Sequence, residues 1–177
     1  MNLPGDLSPR EAVERIVRVD HAGEYGAVRI YAGQLAVLRR SAKAEVVREM
    51  AAQEQEHLRV FDDLVVRRRV RPTVMLPFWH VAGFALGAVT AALGERAAMA
   101  CTVAIEEAID AHYAGQIEAL DESEAPLRET ITRFRDEELK HRDIGLEHGA
   151  RELPGYRLLT GAIKAGCRAA IAISERI

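Results

Sequence analysis

Apolar residues recur at helical spacing along most of this chain. One stripe runs Val13, Val17, Tyr31, Leu35, and another runs Val47, Met50, Phe61, Leu64. Met99, Val103, Tyr113 and Ile117 form a third, and Leu127, Ile131 and Phe134 a fourth. Strand alternation and hairpin signals are scarce. "SPRE" at 8–11 is a capping box with Pro9 at the first helical position, and it opens a helix to about Arg40. Ser41 is placed to cap a second helix, which Pro72 stops. A third helical region runs from about Pro77 to Leu120, with Gly94 as the site of a kink. "DESEAP" breaks it, a fourth helix follows from about Pro126 to His148, and "LPG" at 153–155 precedes a shorter apolar helix. No linker divides residues 1–177, so the pattern predicts a single all-α domain. It reads as a four-helix bundle with an additional C-terminal helix.

Polar residues sit on these stripes where apolar ones belong. Glu54 and His57 complete the second, and Glu138 and His141 repeat the same i, i+3 spacing on the fourth. That spacing points a carboxylate and an imidazole the same way, one turn apart, within reach of one metal ion. Asp20 and Glu24 lie on the first stripe, Glu106 and Asp110 on the third. Helix phase alone does not choose between Glu106 and its neighbour Glu107, while Glu56 points away from the stripe. Glu24 and Glu106 are 82 positions apart, Glu54 and Glu138 84 apart, so a two-helix unit is used twice. Burying an unpaired carboxylate costs many kcal/mol. Four carboxylates with two histidines resolve that cost by holding two oxygen- and nitrogen-preferring cations such as iron or manganese. The chain has only 2 cysteines, which disfavours zinc-thiolate and iron–sulfur sites and suits a reducing compartment.

Composition excludes some classes. Hydrophobic residues make up 49% of the 177 residues, ordinary for a globular domain. The net charge of −3 supplies no electrostatic reason to bind nucleic acid. The N-terminus lacks an apolar secretory core and the Arg- and Ser-rich look of a transit peptide. A bacterial cytoplasmic chain or a mature organellar one is expected.

Residues 73–94 contain no Asp, Glu, Lys or Arg. The segment is long enough to span a bilayer, but Pro77, His80 and three glycines interrupt it. A bundle helix with one face in the membrane surface, Phe78 and Trp79 at the interface, is the expected alternative. A fully buried core helix is the other.

"RIVRVDHAGEYGAVRIYAGQ" (15–34), "RVRPTVMLPFWHVAGFALGA" (69–88), "AMACTVAIEEAIDAHY" (98–113) and "FRDEELKHRDIGLEHGA" (134–150) strongly resemble the demethoxyubiquinone hydroxylases of ubiquinone biosynthesis. The ending "AGCRAAIAISERI" is also similar to that family, and the likeness covers nearly the whole chain. The family is a di-iron branch of the ferritin-like superfamily. The resemblance implies that Glu24, Glu54, His57, Glu106, Glu138 and His141 are the catalytic centre's iron ligands, with Glu54 and Glu138 bridging two Fe ions. It also implies O2-dependent hydroxylation of a polyprenyl quinol ring, with NADH as the source of electrons. A ferritin-like iron-binding or peroxide-handling bundle without quinol substrate is the alternative.

A quinol substrate lives in the bilayer, so the enzyme is expected at a membrane surface. That surface is the cytoplasmic face of a bacterial cell membrane, or the matrix side of the mitochondrial inner membrane for a trimmed eukaryotic chain. A homo-oligomer and a lipid-presenting partner protein are further expectations. Tyr113, two turns from Glu106, is either a quinol or electron-transfer contact or a core tyrosine with a satisfied hydroxyl. Asp20 is a candidate hydrogen-bond partner near Glu24. His21, His112 and His148 carry no assigned role, and Arg15 and Arg168 are surface charges or contacts for a quinol head or nicotinamide. No G-x-G-x-x-G is present, so a nicotinamide would not bind through a Rossmann fold.

Overall fold

The Ser8 side chain accepts from the Glu11 backbone N–H, and the Glu11 carboxylate accepts from Ser8 N–H, closing the expected capping box. It opens α1 (Pro9–Leu38) of a computed structural model that describes residues 7–177. Residues 1–6, where the reading of the N-terminus for targeting signals begins, lie outside the described residues. α2 (Ala44–Arg68), α3 (Leu76–Ala92), α4 (Glu95–Ala119), α5 (Ala125–Glu147) and α6 (Tyr156–Ser174) follow, with single 3₁₀ turns at Glu122–Glu124 and Ala150–Glu152.

Two boundaries differ from the sequence reading. α2 starts after Lys43 without a side-chain cap, because Ser41 instead accepts from Lys43 N–H and donates to Glu95, tying the α1–α2 turn to the start of α4. The third helical region is not one kinked helix. Gly94, at φ 118°, ends α3 and starts α4, in a backbone region that only glycine enters without strain.

α1, α2, α4 and α5 form the bundle. Tyr31 approaches Met50, and Phe61 packs on Phe134, so α1 opposes α2 and α2 opposes α5. Glu24 meets Tyr113 while Tyr31 meets Glu106, so α1 and α4 are also antiparallel. α2 and α4 are therefore parallel, which requires the chain to cross the bundle's length between them. α3 makes that crossing.

α3 packs along α1, and α6 packs along α4. The repeated unit is thus three helices, α1–α3 and α4–α6, rather than the expected two. A row of small residues seats α3. A Cβ on Gly87 would collide with the Ile30 carbonyl, and one on Gly33 would collide with the Phe84 carbonyl. The helices are in backbone contact there.

α3 buries only Gly83, Gly87, Thr90 and Ala91, which overturns the fully buried reading of 73–94. Phe78, Val81, Phe84 and Val89 face outward. Among the described residues no helix is long and apolar enough to cross a membrane. The core itself is layered. Met99, Val103, Val47 and Met50 fill one end, and Val17, Phe61, Leu127, Ile131 and Phe134 fill the other. The polar residues of the stripes lie between these two apolar layers.

Candidate metal centre

Glu24, Glu54, His57, Glu106, Glu138 and His141 are all buried. Each bundle helix contributes its members because the apolar residues a turn above and below them on the same stripe face the core. Ligand-type atoms of Glu24, Glu54, His57 and Glu138 lie within 4.8 Å of one another, and so do those of Glu54, Glu106, Glu138 and His141. Glu54 and Glu138 belong to both groups. The choice left open between Glu106 and Glu107 is resolved: Glu106 enters the cage, and Glu107 pairs with Lys164 at 2.6 Å on the outside.

His57 Nδ1 lies 3.0 Å from Glu138 Oε1 and 3.5 Å from Glu24 Oε2. Across the cage, His141 Nδ1 lies 2.9 Å from Glu54 Oε1 and 3.4 Å from Glu138 Oε2. Proximity does not satisfy these groups. Both Glu54 oxygens, one oxygen each of Glu24, Glu106 and Glu138, and His141 Nδ1 are buried without an aligned hydrogen bond. Such a density of unmet lone pairs at one point is costly, and cations are the partner that satisfies all of them. The donor set, carboxylate and imidazole without thiolate, fits two ions such as iron or manganese.

The electrostatics follow from the same geometry. Burial pushes the Glu54 carboxyl well above its usual range, and the Glu138 and Glu24 charges push it the same way. Burial, Glu138 and Glu54 do the same to Glu106. Glu138 suffers the same burial, but the imidazoles of His141 and His57 beside it outweigh that burial and hold the group at about 2. Burial opposes charge on His57 as well, yet its contacts with Glu138 and Glu24 lift it to about 12.

Tyrosines brace the two unshared glutamates. The Tyr31 hydroxyl donates to Glu106 Oε1 at 2.7 Å, and the Tyr113 hydroxyl donates to Glu24 Oε1. Tyr113 is thus a buried tyrosine with a satisfied hydroxyl, and its partner is the cage. Tyr31 was not assigned a role from the sequence, although each tyrosine follows its helix's glutamate by seven positions and that repeat was available. The outward ring nitrogens were also missed. His57 Nε2 meets Glu137 Oε2 at 2.6 Å, and His141 Nε2 meets Gln53 Oε1 at 2.6 Å.

The remaining candidates lie elsewhere. Asp20 is buried and accepts from Gln116 Nε2 at 2.7 Å, with burial raising its carboxyl well above the usual range. His112 approaches the same carboxylate at 3.6 Å. Asp110, expected on the inner stripe, is only partly buried and accepts from Arg135 at 2.6 Å. His21 pairs with Asp62 at 2.9 Å, and His148 Nδ1 lies 2.9 Å from the Ile144 carbonyl. Glu56 pairs with Arg59 at the surface, as the helix phase implied. Arg15 lines a surface cleft of about 560 Å³ between α1 and α4, and Arg168 is exposed on α6.

Four helices that converge carboxylates and two Glu-x-x-His pairs on one buried point define a ferritin-like carboxylate bundle. Comparison with known proteins narrows that class. A family model described as "Ubiquinone biosynthesis protein COQ7" matches residues 11–174, and the chain belongs to that family. It is 62% identical over 176 residues to the 3-demethoxyubiquinol 3-hydroxylase of Rhodospirillum rubrum, covering 99% of this chain and 83% of the relative. It is 56% identical over 176 residues to the NADPH-dependent 3-demethoxyubiquinone 3-hydroxylase, mitochondrial, of Homo sapiens, covering 97% and 81%. The 5-demethoxyubiquinone hydroxylase, mitochondrial, of Saccharomyces cerevisiae is 41% identical over 191 residues, covering 97% and 82%.

Proposed function

We propose that this chain hydroxylates the ring of a demethoxy-polyprenyl-benzoquinol, 3-demethoxyubiquinol, with O2 in ubiquinone biosynthesis. Glu24, Glu54, His57 and Glu138 would hold one iron, and Glu54, Glu106, Glu138 and His141 the other, with Glu54 and Glu138 shared. The bound iron pair would supply the electrons that activate O2.

One observation carries the reading: an apolar cavity under the greasy face of the molecule has wall residues within one helical turn of cage glutamates on α1 and α4. The cavity holds about 270 Å³ and is lined by α1, α3, α4 and α6, including Gly26, Trp79, Leu86 and Cys167. Its inner wall includes Ala27, one turn from Glu24, and Ile105 and Ile109, which bracket Glu106. A quinol ring seated there would be separated from the buried Glu24 and Glu106 by the side chains of this wall alone, and its isoprenoid tail would leave between α3 and α6. The side chains of this wall exclude water from the reacting face. Tyr31 and Tyr113 hold Glu106 and Glu24 in place while the ring binds.

The outward residues of α3 include Phe78 at 56% and Val81 at 67% exposure, and Leu158 of α6 reaches 82%. A surface of this kind suits peripheral attachment to a bilayer, where the substrate resides. The membrane is the cytoplasmic face of a bacterial cell membrane, or the mitochondrial inner membrane for a eukaryotic source. Several relatives have names that specify NADPH dependence, and a reduced nicotinamide, NADH or NADPH, is the electron source this reading adopts. A second copy of the chain or a lipid-presenting protein would cover the same apolar face away from the membrane. An iron-storage or peroxide-handling bundle has no use for that face or for the cavity.

The test is complementation of a strain that lacks its own hydroxylase, with quinones read by mass spectrometry. The chain should restore ubiquinone, and Glu138→Ala, checked for helicity, should accumulate the demethoxy precursor. Ubiquinone in the Glu138→Ala strain, or none with the unaltered chain, would sink the assignment.

A further inference from the structure

The two halves of the cage repeat the same cross-unit contacts from tyrosine and histidine, but the outer partners of the histidines differ. Each tyrosine reaches across to the glutamate of the other unit, and the two tyrosines are alike. Each histidine also reaches across, turning Nε2 toward the residue that precedes the other unit's shared glutamate. For His57 that residue is Glu137, 2.6 Å away, and for His141 it is Gln53, also 2.6 Å away. One acceptor is a carboxylate and the other a neutral amide.

We propose that Glu137 and Gln53 make the two metal positions unequal, the position on His57 being the tighter. The inference rests on the metal reading above. A histidine that binds a metal through one nitrogen donates the N–H of the other, and the acceptor sets the basicity of the ring. A carboxylate draws that proton more strongly than an amide oxygen does and leaves more electron density on Nδ1, the atom facing the cage. Burial points the same way. The Glu137 side chain is 31% exposed, whereas Gln53 is an exposed residue whose hydrogen bond competes with water. Outer partners of this kind change metal affinity by about 10–100-fold. The first ion therefore occupies the group of Glu24, Glu54, His57 and Glu138, and the second fills the group around His141. Neither Glu137 nor Gln53 enters the cage, so both are positioning residues. The position backed by Glu137 also favours the more highly charged ion, since the extra electron density is worth more there.

Crystals of the metal-free protein given one equivalent of Mn(II) test this directly, through anomalous scattering. The peak beside His57 should exceed the peak beside His141 by about tenfold. Glu137→Gln should equalise them. The exchange Glu137→Gln with Gln53→Glu keeps the net charge and should move the larger peak to His141. Equal peaks in the unaltered protein, or a peak that stays on His57 after the exchange, overturns the proposal. A Mn(II) titration of the unaltered protein followed by electron paramagnetic resonance supplies a measurement that needs no variant. Two binding steps separated by about tenfold are expected, and a single step overturns the proposal. Protein of native helicity that takes up no Mn(II) at all overturns the metal reading, and this inference with it.

Discussion

Tyr31 on α1 and Glu106 on α4, 75 residues apart in the chain, are joined by a buried hydrogen bond of 2.7 Å. Tyr113 and Glu24 repeat it with the helices exchanged. Removing either hydroxyl leaves a buried carboxylate oxygen without its partner, at a cost of about 1.5–3 kcal/mol. Tyr31→Phe and Tyr113→Phe should each lower iron retention by about tenfold while the protein stays folded, as read by metal analysis after dialysis. Tyr113→Phe that keeps its iron but loses hydroxylation would instead place Tyr113 in contact with the quinol or in electron transfer.

The backbone contact between α1 and α3 leaves no room for a methyl group at Gly87. Gly87→Ala must push the two helices apart, and a loss of about 1–3 kcal/mol in unfolding free energy is expected. Gly23→Ala on the same α1 is the control, since nothing lies within 4 Å of its added Cβ. Denaturant titration of both variants decides the matter: similar losses would mean that close approach is not what seats α3.

Stability against pH separates metal-free from loaded protein. Glu54 and Glu106 have raised values when folded, so the stability they contribute is fully present below about 4.5 and is lost as pH rises through their folded values. His57, lifted from 6.5 to about 12, contributes stability that fades over that window as pH rises. Glu138, held down to about 2, behaves oppositely, and its contribution disappears only as pH falls from 4.5 toward 2. The metal-free protein should therefore melt at a lower temperature at pH 8 than at pH 6. Iron replaces the protons, so the gap between loaded and metal-free protein should widen over the same interval. Thermal scans at the two pH values, with and without anaerobic iron, measure both trends.

Phe78 and Val81 project from α3 into solvent. Phe78→Ser with Val81→Ser should leave stability within about 0.5 kcal/mol, because neither side chain packs in the core. Sedimentation with phospholipid vesicles should drop severalfold for the double variant. Unchanged sedimentation would mean that another surface meets the bilayer.

The bundle was legible because its signal is redundant. The capping box at Ser8, the prolines at helix starts and the repeated stripes all agree with the final helices. The cage was legible for a related reason: polar residues at buried phase, doubled at near-equal offsets, stand out against an apolar stripe. What escaped is what periodicity does not encode. The break at Gly94 depends on one positive φ. Asp110 lies on the correct stripe yet stays at the rim, because Arg135 on α5 offers it an ion pair there. Glu137 and Gln53 look like ordinary surface residues in the sequence, since their partners lie 80 and 88 positions away. The role of α3 as the counterpart of α6 was hidden by composition: α3 lacks charge, whereas α6 carries Arg157, Lys164 and Arg168.

Each group of ligand-type side chains straddles the two three-helix units. The His57 group borrows Glu138 from the second unit, and the His141 group borrows Glu54 from the first. The covalent tie between the units is the short exposed link at Leu93 and Gly94. An ion in either position is therefore a cross-link between halves that one strand of backbone joins. A protease nick at that link would leave a loaded protein stapled through its interior, and chelation would then leave the two pieces held by apolar packing such as Phe61 on Phe134.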